Sequence, residues 1–135
     1  MDGGPSTVDL PMNLRHNPFR KGKSIHPHDY LTHQVMQARL FMDKYYSGKL
    51  HIHDLVGEAF LSKIHFIRLF KSHYGHTPYQ YLTSVRIKNA KRLLITDATI
   101  SEVCFEVGFE SVTYFTGLFK KMTGITPAAF RKNQQ

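Results

Sequence analysis

The chain has 135 residues, with 18 lysines and arginines against 10 aspartates and glutamates, a formal charge of +8 with nine histidines neutral. That length excludes a large enzyme with separate cofactor and substrate domains and admits one domain or two very small ones; 41% hydrophobic and 13% aromatic residues suffice for a core and exclude wholesale disorder. The single cysteine, Cys104, excludes a disulfide framework and a cysteine-rich zinc finger, and no apolar run reaches the roughly 18 residues of a membrane span.

Residues 1–28 hold Pro5, Pro11, Pro18 and Pro27 with a basic cluster of Arg20, Lys21 and Lys23. No period of 2 or 3.6 organises them, so they read as a flexible tail or linker. Met1 to Pro11 lacks the basic and apolar regions of a secretory signal, which makes a reducing, cytoplasmic compartment the expectation.

Helical spacing begins at Leu31, with Val35, Ala38, Met42 and Tyr46 on one face, and Ser47-Gly48 stops it. A second helix is expected on Ile52, Leu55, Val56 and Ala59. A third follows the N-cap Ser62, buries Phe66, Leu69 and Phe70, and ends at Gly75. Thr77-Pro78 opens a fourth that runs to about Thr96, a rod of about 28 Å at 1.5 Å per residue. Its apolar residues, Tyr81, Leu82, Val85, Ile87, Ala90, Leu93 and Leu94, cover more than one face, which suits a connector between two small cores. The capping box of Thr99 and Glu102 opens a fifth helix, which buries Ile100, Val103, Cys104 and Val107.

Here the chain repeats itself. Ile52, Leu55, Val56 and Ala59 recur 48 residues on as Ile100, Val103, Cys104 and Val107; Phe66, Leu69, Phe70, Lys71, Gly75, Thr77, Pro78 and Tyr81 recur 49 residues on as Phe115, Leu118, Phe119, Lys120, Gly124, Thr126, Pro127 and Phe130. Self-similarity at a fixed period marks a duplicated structural unit. Each copy is helix, tight turn, helix, which is a helix-turn-helix pattern, and an α-helix fits the major groove of duplex DNA. The expected outward face of the first recognition helix is Ser62, Lys63, Ile64, His65, Ile67, Arg68 and Lys71. Arg68 suits a guanine edge, Ile64 and Ile67 suit thymine methyls, and Lys63 and Lys71 suit phosphates. In the second copy the face is Ser111, Val112, Thr113, Tyr114, Thr116, Gly117, Lys120 and Lys121.

These residues, with Leu55-Val56, Arg86, Val107-Gly108-Phe109, Phe119-Lys120-Lys121, Thr126-Pro127 and Phe130-Arg131, resemble the DNA-binding domain of the AraC/XylS family of bacterial transcription regulators from Leu31 to Lys132. The resemblance implies an all-α fold of seven helices: two homeodomain-like three-helix subdomains, each a helix-turn-helix, joined by a long central helix. The expected division is a tail at 1–28, a first subdomain at 29–76, a linker helix at 77–96 and a second subdomain at 97–135. It also implies that both recognition helices enter successive major-groove segments, that double-stranded DNA is the partner, that RNA polymerase is a further one, and that the protein works in the bacterial cytoplasm, at the nucleoid when bound. No effector-ligand domain is expected within these 135 residues. Phe60 stands in the first turn where the second has Gly108, and Gly117 stands where the first helix has Arg68; a mid-helix glycine costs about 1 kcal/mol against alanine, so direct readout is expected to rest more on the first copy.

Other chemistry is poorly supported. The histidine pairs His26/His28, His51/His53 and His73/His76 lack helical i, i+4 spacing, so neither metal nor cofactor is expected. Cys104 reads as a core residue, as do Phe66, Phe70, Phe109, Phe115, Phe119 and Phe130. Arg86, Lys88, Lys91 and Arg92 read as a solvated charge run, and Arg131-Lys132 either meets DNA backbone or frays. No phosphate loop, nucleophile elbow or acid pair supports catalysis. Two alternatives remain open: a charge-driven binder of nucleic acid or RNA, and a protein-interaction module.

Overall fold

The computed structural model describes residues 27–56 and 62–134, with backbone alone at residues 27 and 28. The described residues contain seven helices and no strand: α1 (Pro27–Tyr45), α2 (Ile52–Leu55), α3 (Lys63–Tyr74), α4 (Pro78–Leu94), α5 (Ile100–Glu106), α6 (Val112–Thr123) and α7 (Pro127–Asn133). They form two compact units that divide between Leu82 and Thr83, within α4.

In the first unit α1 packs against α3. Val35, Ala38, Phe41, Met42, Leu55, Phe66, Phe70 and Leu82 make its core, on the face of α1 that the spacing predicts. That helix opens at Pro27, inside the stretch read as tail; proline suits a first helical position, where no N–H is needed. The second helix is shorter than its apolar pattern suggests. Val56 is extended, at φ −78° and ψ 122°, and ends α2 after Leu55; a β-branched residue is at ease in that backbone. Ala59 and Phe60 lie outside the described residues, as do the basic cluster at 20–23 and His26.

In the second unit α6 packs against α5 and α7. Ile87, Ala90, Leu94, Val103, Cys104, Val107, Phe109, Phe115 and Phe119 are buried there, whereas Ile100 and Phe130 are only partly so. The α5 end explains Gly108. Its φ is +104°, its N–H donates to Phe105 O at 3.2 Å, and the Phe109 N–H reaches back to Cys104 O at 3.0 Å. This is a Schellman closure, and its left-handed residue is the position that favours glycine.

The repeat survives in three dimensions as matching internal geometry. Ser62 Oγ accepts the His65 N–H at 3.0 Å and Ser111 Oγ the Tyr114 N–H at 3.1 Å. Both twelve-residue helices end at a left-handed glycine, Gly75 (φ +78°) and Gly124 (φ +91°), whose N–H donates to Lys71 O or Lys120 O. The Phe66–Phe70 rings lie 6.0 Å apart and Phe115–Phe119 5.9 Å; Phe70–Tyr81 and Phe119–Phe130 are edge-on at 5.9 and 5.7 Å. All four central phenylalanines are fully buried, and truncating such a residue to alanine costs about 3–5 kcal/mol.

Candidate nucleic-acid interface

Burial of Phe66 and Phe70 on α3, and of Phe115 and Phe119 on α6, rotates the opposite side of each helix outward. On α3 this exposes Lys63, Ile64, His65, Arg68 and Lys71, with Ser62 exposed at the cap. Ile64 is 61% exposed, an apolar group in water that a thymine methyl would cover. Ile67 departs from the expected face: it is half-buried and packs against the first core, because it follows the buried Phe66 by one position, only about 100° round the helix. Leu69, expected inside, is likewise half-buried.

On α6 the exposed residues are Thr113, Tyr114, Gly117, Lys120 and Lys121, again with the cap serine, Ser111, exposed; Val112 and Thr116 are half-buried. Neither recognition helix contains an acidic residue. The side chains of Lys63, Arg68, Lys71, Lys120 and Lys121 are engaged with no other described residue, so their donors are available to an anion. Each capping hydroxyl accepts from backbone and keeps its own O–H to donate.

Arg131, Arg86 and Arg39 are committed internally. The Arg131 Nε donates to Leu94 O at 2.7 Å and its Nη2 to Ala98 O, so this half-buried guanidinium closes the end of α4 and does not fray. Arg86 lies over the Phe109 ring at 5.7 Å, while Lys88, Lys91 and Arg92 are exposed as the charge run suggests. In the first unit Arg39 Nη1 bonds Asp43 Oδ2 at 3.0 Å, its guanidinium lies over the Tyr74 ring at 5.5 Å, and the Tyr81 hydroxyl donates to Asp43 Oδ1. Hydrogen bonding to Tyr74 and then Tyr81 raises the Arg39 pKa. Sequence reasoning missed this cluster, although Arg39 and Asp43 are four residues apart on one helix, the spacing of an ion pair.

Burial pushes the Cys104 thiol pKa up, which keeps it protonated and unreactive, as expected of a core cysteine. The His51 and His53 rings stack at 5.6 Å and His53 Nε2 is 3.2 Å from Asp54 Oδ1; no group of three or more potential metal ligands occurs among the described residues. No described helix is long and apolar enough to cross a membrane.

Paired helix-turn-helix units with acid-free outward helices define a double helix-turn-helix protein of the DNA-binding class. A family model described as a helix-turn-helix domain matches residues 55–133, and the chain belongs to this family, in its AraC-type branch. The bifunctional transcriptional activator/DNA repair enzyme AdaA of Bacillus subtilis is 39% identical over 93 residues, covering 68% of this chain and 44% of AdaA. The HTH-type transcriptional regulator ExsA of Pseudomonas aeruginosa is 33% identical over 101 residues, covering 74% of this chain and 36% of ExsA. Among solved structures, the DNA-binding domain of the global transcriptional factor AdpA, in complex with a target DNA, has a TM-score of 0.69 at 29% identity and covers 74% of this chain and 91% of that one. The chain thus spans less than half the length of the two full relatives.

Proposed function

We propose that this chain regulates transcription in the bacterial cytoplasm by sequence-specific binding of double-stranded DNA, with α3 and α6 each entering a major-groove segment. The observation that carries this reading is the twice-built recognition helix: same serine cap, same pair of buried phenylalanines, same left-handed glycine, and an outward side with unpaired cations and no acid. Nothing in packing requires that outward chemistry, whereas a duplex does.

Under this reading Arg68 donates two hydrogen bonds to a guanine edge and Ile64 covers a thymine methyl. Lys63, Lys71, Lys120 and Lys121 neutralise phosphates, the Ser62 and Ser111 hydroxyls donate to phosphate oxygens, and Thr113, Tyr114 and Thr116 line the second groove. His65 and Val112 sit at the rim, and Ile67 shares its surface with the core. The first copy carries more of the direct readout. Residues 29–76 and 97–135 act as the two reading subdomains, and 77–96 as the helix that joins them. RNA polymerase is the second partner of this reading, any effector acts outside these residues, and the chain is a binding protein rather than an enzyme.

Competition binding tests it. The chain should prefer a duplex selected from a random pool over random duplex by at least about 10³. Equal affinity for both would favour a charge-driven binder, and preference for loops or single strands an RNA binder.

A further inference from the structure

Gly117 is exposed on α6, six residues after the cap Ser111, in the register where α3 carries Arg68 six residues after Ser62. Glycine is structurally required where φ is positive or where another part of the chain approaches closely. Neither applies. The positive-φ glycines among the described residues are Gly75, Gly108 and Gly124, and a Cβ added at Gly117 would meet nothing within 4 Å. The fold would accept alanine and gain from it, since glycine in mid-helix frees backbone entropy that the folded chain must lose. Departures of this kind from local helix preference concentrate at functional sites.

The neighbours say what the function is. One turn back, on the same side, lies Thr113; one turn on lie Lys120 and Lys121. The lysines are exposed, as is Tyr114 three residues before Gly117, while Gly117 itself adds no side chain to the surface between the lysines and Thr113. We propose that Gly117 is a close-approach residue: it lets the α6 backbone lie in van der Waals contact with the groove floor, where its Cα hydrogens and the Thr113 methyl receive the C5-methyl of a thymine. A thymine C5-methyl fills such a gap with an apolar contact that no other base offers in the major groove. The second copy then reads by fit where the first reads by reach. This inference rests on the DNA-binding reading above and adds to it the specificity-determining residue of α6.

The experiment compares the full chain with its Gly117→Ala variant on the duplex that the unaltered chain selects from a random pool. The variant should melt about 4 °C or more higher and yet bind that duplex at least about tenfold more weakly, so that misfolding cannot account for the loss. Each thymine is then replaced in turn by uracil, which removes only the C5-methyl. At one position the replacement should weaken the unaltered chain and restore binding by Gly117→Ala, whose new methyl occupies the vacated space. Undiminished binding by Gly117→Ala, or a loss that no uracil relieves, overturns the inference. If the unaltered chain selects no duplex, the DNA-binding reading itself falls.

Discussion

Arg68 and Arg131 place the same guanidinium in opposite surroundings. Arg68 is exposed on α3 and engaged with no described residue, whereas Arg131 closes the Leu94 and Ala98 carbonyls at the end of α4. Substitutions should separate the two roles. Arg68→Ala should cost about 1–3 kcal/mol of affinity for the preferred duplex and relax preference at one base pair, while moving unfolding free energy by less than about 0.5 kcal/mol. Arg131→Met should lower the stability of the second unit by about 2 kcal/mol, because two carbonyls lose charged donors, and leave the salt dependence of DNA binding unchanged. Denaturant unfolding and binding titrations over a salt series measure both. From the sequence alone the two arginines could be told apart only in part: Arg68 lies among residues with helical spacing, but the acceptors of Arg131 are 33 and 37 residues away, beyond the reach of any local pattern.

Helices were legible where a cap and a period agreed. Ser62, Thr77 and Thr99 each accept from the backbone N–H three residues on, and Gly75, which stops α3, is left-handed. Apolar spacing alone overran at α2, where Val56 continues the pattern but not the helix, and it put Ile67 outside when the core takes part of it. Between elements, the Arg39, Asp43, Tyr74 and Tyr81 cluster ties α1, α3 and α4 together. Desolvation, then the hydrogen bond to Asp43, raises the Tyr81 pKa above its ordinary 10.0. The folded chain therefore holds that proton more tightly than the unfolded one. The resulting stability is complete below pH 10 and is lost as pH rises through the raised value. Unfolding measured from pH 7 to 11 should show this alkaline decline, and Tyr81→Phe, though less stable at neutral pH, should decline less steeply.

Across the whole molecule, the duplication was the most legible feature, since equal spacing of phenylalanine, glycine and proline in two stretches demands two similar cores. Matching ring distances in the two units bear this out. The division inside α4, between Leu82 and Thr83, was not legible, because one uninterrupted helix serves both units and its apolar residues carry no mark of which core each enters. The candidate site was readable as two outward faces; the commitment of Arg86 and Arg131 to internal contacts was not. On the proposed reading, α3 and α6 each read their own segment of duplex. Selection of bound duplexes from a random pool, run with the unaltered chain and with Arg68→Ala, tests it most directly. Two separate blocks of preferred base pairs are predicted, with Arg68→Ala relaxing preference at one base pair of one block and sparing the other. No enriched duplex, or a single block lost entirely in the variant, would contradict it.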